Sequence, residues 1–87
     1  MNNKKIKAAG FRPQKNQEWR QYEKGSLLEN GLALNETATF IWNLCDGKKS
    51  INEIVVEVEK IYEIDQKKAK SDVVACLDIL IDEGGLV

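Results

Sequence analysis

The sequence predicts a single α+β domain of winged-helix-like architecture, in which a three-stranded antiparallel meander precedes three α-helices. At 87 residues the chain has room for one small core. In its first part, pairs of turn-forming residues separate short apolar segments, whereas in its second part apolar residues recur at helical spacing between capping residues. In such a fold the meander would be the wing, and the last two helices would form a helix-turn-helix pair.

Three short segments have the composition of β-strands. The segment EWRQYE is rich in aromatic residues, which favour strands, and Lys24-Gly25 after it predicts a turn. The segments SLLE and LALN follow, and Asn30-Gly31 between them is the strongest two-residue hairpin signal in the chain. Tight turns between neighbouring strands predict an antiparallel meander.

The first predicted helix begins after Asn35, because an Asn side chain can accept a hydrogen bond from a backbone N–H of the first helical turn. Gly47 is expected to end this helix by adopting a left-handed backbone conformation. The residues at i, i+3, i+4 and i+7 spacing between them are Ala38, Ile41, Trp42 and Cys45.

The second predicted helix starts with an S-x-x-E capping box, formed by Ser50 and Glu53. An amphipathic apolar pattern follows and runs to Tyr62. This combination of a reciprocal cap and a regular apolar face makes the second helix the clearest local prediction in the chain.

The third predicted helix covers residues 66–83, with Asp65 as its cap and two glycines from position 84 as its stop signal. Leu86 and Val87 are then expected to form a C-terminal apolar anchor. The apolar stripe of this helix is wider than one core contact requires, and Ala75 and Ile79 lie at its edge. Ile79 would either line a groove beside the sheet or be covered by the strands or by a second copy of the chain.

The N-terminal part of the chain differs in charge from the rest. Residues 1–24 carry seven Lys or Arg and two Glu, a net charge of +5, whereas residues 25–87 carry six Lys and twelve Asp or Glu, a net charge of −6. The first residues show no periodic pattern, and Pro13 disfavours helix there. We therefore expect residues 1–17 to form a flexible basic arm and residues 18–87 to form the folded domain.

A winged-helix nucleic-acid-binding protein is the alternative that this architecture suggests. The third helix, however, has no Arg or Asn to contact base edges, and its acidic residues would repel phosphates. Nucleic acid is therefore an unlikely partner. The charged residues of the helix are Lys67, Lys68 and Lys70 against Asp72, Asp78, Asp82 and Glu83.

The composition argues against an enzyme. The chain has no His, so neither a Cys nor a Ser nucleophile has the usual base beside it. Cys45 and Cys76 are expected to be reduced core thiols rather than metal ligands, and we expect no catalytic residue, metal or cofactor. Since no apolar run could span a membrane and the N-terminus lacks the apolar part of a signal peptide, we expect a cytoplasmic protein with no membrane contact.

Four short motifs follow one another along the chain: LN-x-TA from Leu34, DG at Asp46 and Gly47, INEI at 51–54, and DV-x-x-x-L-x-x-L from Asp72 to Leu80. In this order and spacing they resemble the PqqD-like family of peptide-recognition domains. The resemblance covers roughly residues 18–87. Domains of this family act in pathways that make ribosomally synthesised, post-translationally modified peptides, where they serve as RiPP recognition elements.

This resemblance implies a non-catalytic adaptor that binds the leader region of a precursor peptide. The leader would add a strand beside the third strand, against the third helix, and would be presented to a modifying enzyme such as a leader peptidase or a radical SAM enzyme. The pathway itself stays open among lasso peptides, quinone cofactor synthesis and radical-modified peptides. The peptide-binding residues that the resemblance implies are Leu32, Ala33, Leu34, Asp72, Ala75, Cys76, Ile79 and Glu83.

Overall fold

The computed structural model describes residues 10–87, and within this range a three-stranded sheet is followed by three helices. The strand order is β1-β2-β3, and both strand pairs are antiparallel. The predicted α+β class and the order of its elements are confirmed. The elements are β1 (Trp19–Tyr22), β2 (Gly25–Leu28), β3 (Ala33–Leu34), α1 (Glu36–Leu44), α2 (Ile51–Tyr62) and α3 (Gln66–Asp82).

The turn between β1 and β2 lies one residue earlier than predicted. Tyr22 pairs with Gly25, so the turn residues are Glu23 and Lys24. Glu23 has a φ of 50°, in the left-handed region, whereas Gly25 is the first residue of β2. The prediction treated Gly25 as a turn residue, but it lies inside β2. A glycine is needed there because its backbone lies close to that of β3.

The turn between β2 and β3 is a three-residue loop rather than the predicted two-residue turn. Leu28 donates its N–H to Leu32 O at 2.9 Å and accepts one from Gly31, also at 2.9 Å. Gly31 has a φ of 94°, whereas Asn30 is not among the residues with positive φ, which a two-residue turn of the favoured type would need at both positions. Asn30 Oδ1 accepts the N–H of Leu32 at 2.9 Å and thereby stabilises the longer loop.

The predicted cap residues begin all three helices. Asn35 Oδ1 accepts the N–H of Ala38 at 2.9 Å, and Asp65 Oδ1 accepts the N–H of Lys68 at 2.8 Å. At the start of α2 both hydrogen bonds of the capping box are present. The carboxylate of Glu53 accepts the Ser50 N–H, and this hydrogen bond holds the pKa of Glu53 below its usual value.

The helix ends agree less well with the sequence. The first helix stops at Leu44, so Gly47, with a φ of 80°, lies beyond the helix rather than at its cap. The second helix ends on Glu63, which takes the left-handed conformation with a φ of 52° although it is not a glycine. At the end of α3, Gly84 has a φ of 78°, as a stop signal requires.

The core lies between the sheet and the three helices, around the fully buried Trp42. Trp19 of β1 packs edge-on against the Trp42 ring, with ring centroids 6.3 Å apart. Ser26 of β2 and Thr39 of α1 are both buried, and their hydroxyl oxygens lie 2.7 Å apart. The core apolar residues are Leu28, Leu34, Ile41, Trp42, Cys45, Ile54, Val55, Val58, Ala69, Val73, Leu77, Leu80 and Leu86.

Part of the predicted arm belongs to the folded domain. Pro13 is buried, and residues 13–16 lie between the segment after α1 and the C-terminal residues. The expectation of a flexible arm over residues 1–17 therefore does not hold for residues 13–16, because their backbone groups are hydrogen-bonded. Residues 1–9 lie outside the described residues. The bonds join Pro13 O to Gly47 N–H, Gln14 to Val87 in both directions, Lys15 N–H to Cys45 O, and Asn16 N–H to Gly85 O.

The C-terminal apolar residues differ from each other in burial. Leu86 is part of the core, whereas Val87 is exposed, so Leu86 alone serves as the expected anchor. Within residues 10–87, no helix has both the length and the apolar character needed to cross a lipid bilayer.

Candidate functional site

An open groove of about 480 Å³ lies between the edge of the sheet and α3. One wall is β3 with the residue before it, the other is one face of α3, and the start of α1 closes the space between them. The lining residues are Leu32, Ala33, Leu34, Asn35, Thr37, Ala38, Ile41, Asp72, Ala75, Cys76, Ile79 and Leu80.

The sheet wall of the groove is an edge strand. β3 pairs with β2 on one side, and the order β1-β2-β3 leaves its other side without a neighbouring strand. Leu32 O accepts the N–H of Leu28, so the backbone of Leu32 faces β2. Since backbone groups alternate in direction along a strand, the N–H and C=O of Ala33 face the groove. The side chain of Ala33 is exposed.

The helical wall of the groove is mainly apolar. Ala75 and Ile79 are exposed, and 54% of the Ile79 surface is accessible. Asp72 lies on the same wall, and its carboxylate is 3.2 Å from the ammonium group of Lys68, one turn earlier. This wall therefore presents an apolar surface with one paired carboxylate.

Cys76 is half-buried in the groove and remains protonated at neutral pH. Burial raises the pKa of its thiol from 9.0 to about 12. Cys45, which lies in the core, has its pKa raised to about 12 by burial as well, and its Sγ donates a hydrogen bond to Ile41 O at 3.3 Å. Because a neutral thiol resembles a small apolar side chain, Cys76 extends the apolar wall and is not an activated nucleophile.

Both walls of the groove lie in the part of the chain that matches a known protein family. A family model described as coenzyme PQQ synthesis protein D (PqqD) matches residues 22–86, which include every groove residue. The chain belongs to the PqqD family. A PqqA binding protein of Rhodopseudomonas palustris (strain BisB5) is 38% identical over 58 residues, which are 67% of this chain and 57% of that relative. No solved structure gave a significant match.

This PqqD-family domain therefore spans little more than half the length of the curated relative that it matches. The relative's name describes a protein that binds PqqA. The region that the family model matches, residues 22–86, contains the sheet from the end of β1 onwards and all three helices, so the family assignment applies to the fold and to the groove.

The structure brings seven of the eight residues implied by the family resemblance to one groove. Leu34 is among them, but its side chain is buried in the core, so it can offer mainly backbone to a ligand. Glu83 is the exception. It is exposed at the end of α3 and does not line the groove, and its carbonyl oxygen accepts a hydrogen bond from Asn30 Nδ2 at 2.8 Å. Glu83 thus fastens the β2–β3 loop to α3.

The residues that close the groove from α1 were not predicted from the sequence. Asn35, Thr37, Ala38 and Ile41 line it, together with Leu80 of α3. Four of these five belong to the motifs that resemble the PqqD family. Their side chains help to form the fold and the floor of the groove at the same time, and a motif alone does not distinguish the two roles.

The groove offers the chemistry of binding. Among the described residues that line the groove, Asp72 and Cys76 are the titratable ones. Asp72 is paired with Lys68, and Cys76 is a neutral thiol. Nucleophilic chemistry at Cys76 would need an adjacent base, and the chain has no His. A free strand edge beside an apolar wall instead suits an extended peptide.

Proposed function

We propose that this PqqD-family domain is a non-catalytic adaptor that binds the leader region of a ribosomally synthesised precursor peptide. The observation that supports it most directly is that the outward edge of β3 and the exposed apolar face of α3 line the same groove. The adaptor would act in the cytoplasm, where precursor peptides are made, and would present the leader to a modifying enzyme or a leader peptidase.

The strand edge would supply affinity that does not depend on the leader's sequence. The N–H and C=O of Ala33 would pair with the backbone of an added strand, as in other cases of strand addition. β3 is only two residues long, so the number of such hydrogen bonds is small. Further affinity must therefore come from side chains.

The helical wall would supply selectivity. Ala75, Cys76 and Ile79 would receive apolar side chains on one face of the leader, because alternate side chains of an added strand point towards the helix. Asp72 would meet a polar or basic leader residue at the rim, in competition with its present partner Lys68. We therefore expect a leader with alternating apolar residues and a basic residue beside them.

Nucleic-acid binding remains a weaker candidate. The groove is lined by apolar residues and one carboxylate, and no Lys or Arg is among its described lining residues. Phosphate binding depends on such cations, so this surface is unsuited to DNA.

The decisive experiment is a titration with a synthetic leader of the precursor peptide encoded beside this gene. Ile79→Asp should weaken leader binding about ten- to a hundredfold, since one buried aliphatic contact is worth roughly 1.5 to 3 kcal/mol. Ile61→Asp is a matched control, because Ile61 of α2 is exposed to a similar extent, 57% against 54%, and does not line the groove.

Circular dichroism should show the same helical content and similar melting for both variants. Normal leader binding by Ile79→Asp would place the peptide elsewhere on the domain. Binding of random duplex DNA at physiological salt, with none of the leader, would instead support the nucleic-acid alternative.

A further inference from the structure

The face of the sheet that points away from the helices presents an exposed leucine on its middle strand. In β2 the side chains of Ser26 and Leu28 are buried, whereas 41% of the Leu27 surface is accessible. Successive side chains of a strand point to opposite faces of a sheet. Ser26 and Leu28 therefore face the core, and Leu27 faces outwards.

Strand pairing aligns Leu27 with one residue of each neighbouring strand. Its partners are Arg20 of β1 and Ala33 of β3, and both are exposed. Residues opposite each other in a sheet project from the same face, so these three side chains form one row. We call the surface along this row the outer face. The row ends at Ala33, because within residues 10–87 β3 pairs with β2 alone.

A strand added to β3 would extend this row by one side chain. The N–H and C=O of Ala33 face the groove, where the leader is proposed to pair with them. The leader residue opposite Ala33 would then project from the outer face, whichever way the leader runs, because neighbouring residues of parallel and antiparallel pairs share a face. The leader would thus present side chains to two surfaces, the helical wall of the groove and the outer face.

The small size of Ala33 decides what this leader residue can contact. Neighbouring strands lie about 4.8 Å apart, so the backbone of the added strand would lie about 10 Å from that of β2. The methyl group of Ala33 fills little of the space between them. A long aliphatic or aromatic leader side chain can cross Ala33 and reach Leu27, whereas a small one cannot.

We propose that Leu27 and Ala33 form a second specificity site for the leader, which takes a large aliphatic or aromatic side chain on the outer face. The inference rests on the proposed function, since it requires the leader to add to β3. Contact with this side chain removes the exposed apolar surface of Leu27 from water, which favours binding. The leader therefore carries a large apolar residue on each face of its bound strand, not only on the face that meets α3.

Titration of Leu27→Thr with the synthetic leader tests the proposal. Thr keeps the preference for strand but removes most of the apolar surface. The dissociation constant should rise about two- to fivefold, the effect of one cross-strand contact. Tyr22→Thr is the matched control, because Tyr22 is 48% exposed and lies two residues from Arg20 on β1, the strand farthest from β3. It should bind the leader like the unmodified domain, and circular dichroism should show both variants folded.

A scan of the leader identifies the residue that meets Leu27. Each large apolar leader residue is changed to Ala, and every peptide is titrated against the unmodified domain, Leu27→Thr and Ile79→Ala. One leader residue should lose its effect in Leu27→Thr and a different one in Ile79→Ala, as coupled pairs do in double-mutant cycles. Because these two leader residues lie on opposite faces of one strand, an odd number of positions should separate them.

The outcomes separate this inference from the proposed function. Weak binding by Ile79→Ala with normal binding by Leu27→Thr would keep the leader in the groove and overturn the inference alone. An even spacing between the two coupled leader residues would also overturn it. Self-association of the peptide-free chain that Leu27→Thr abolishes would assign the outer face to a second copy instead. No leader binding by the unmodified domain would contradict the proposed function and, with it, this inference.

Discussion

Gly25 lies directly against the carbonyl group of Leu34. A β-carbon at position 25 would come within 2.7 Å of the Leu34 carbonyl oxygen, closer than such atoms approach in proteins. Gly25 does not have a positive φ, so the requirement for glycine here is one of space. The position of β3, and with it one wall of the groove, therefore depends on the absence of a side chain in β2.

Gly25→Ala should displace β3 and destabilise the domain by roughly 1 to 3 kcal/mol, as overpacking does elsewhere. Chemical denaturation would measure the loss, and the same variant should bind the leader more weakly because the strand edge has moved. Lys24→Ala, an exposed neighbour in the turn, should change the free energy of unfolding by less than about 0.5 kcal/mol. Equal stability of the two variants would show that β2 accommodates a methyl group.

Gly31→Val should destabilise the domain by about 1 to 2 kcal/mol through backbone conformation alone. Gly31 has a φ of 94°, and a β-carbon there would meet no atom within 4 Å, so a clash cannot explain the effect. Gly31→Asn should cost less, since Asn tolerates positive φ better than a β-branched residue. If thermal melting ranked the two variants in the reverse order, the loop conformation described above would be wrong.

In a double-mutant cycle, removing the hydroxyl of Ser26 and removing that of Thr39 should lower the free energy of unfolding by different amounts. Thr39→Val leaves the Ser26 hydroxyl buried without a partner and should cost about 1 to 3 kcal/mol. Ser26→Ala should cost less, because the Thr39 hydroxyl still has Leu34 O at 3.4 Å. The double variant should have a free energy of unfolding close to that of Thr39→Val alone. Additive losses of stability would mean that the two hydroxyls do not interact.

Both thiols should react slowly with alkylating reagents in native buffer. Each thiol has a pKa near 12 instead of 9.0, so the thiolate fraction near pH 8 falls about a thousandfold. Alkylation slows accordingly, because the thiolate is the reactive form. Cys76 is half-buried and should react before the fully buried Cys45. Bound leader should protect Cys76 further, and mass spectrometry of alkylated peptides would show it. Rapid labelling of both in the native protein would contradict the burial described here.

The same pKa shifts predict a loss of stability in alkaline solution. The folded state binds the thiol protons more tightly than the unfolded state. The thiols therefore make their full contribution to the free energy of unfolding below pH 9, and this contribution is lost as the pH rises towards about 12. The informative measurement compares the unmodified protein with Cys76→Ala. The variant should lose less stability over that interval, and identical pH profiles would argue that Cys76 is not shifted.

Local signals in the sequence predicted the elements well where a short-range interaction decides the structure. The capping box of Ser50 and Glu53 and the cap at Asp65 both depend on residues three positions apart, and both are present. The hairpin loop was predicted less well. Asn30 makes a side-chain contact with the distant Glu83 carbonyl and one with the N–H of Leu32, and these select a three-residue loop over the two-residue turn.

The residues of the groove could be named from motifs, but their roles required the structure. Ile79 and Leu80 are adjacent aliphatic residues on one helix, and sequence alone does not show that the first is exposed and the second buried. Asp78 is a clearer case, because an acidic residue on the outer side of a helix is ordinarily solvated. Asp78 is nonetheless only 6% exposed, which its residue type does not indicate.

The hydrogen bonds of residues 13–16 have a consequence for the order of folding. The helical hairpin of α2 and α3 is made of contacts close in sequence, whereas Asn16 Nδ2 and Gly84 O, 3.4 Å apart, are separated by 68 residues. Closing so long a loop costs entropy that only an already folded body can offset. The hydrogen bonds of residues 13–16 should therefore form last during folding and open first. The amides of this segment, such as that of Lys15, should exchange with deuterium before those of α2.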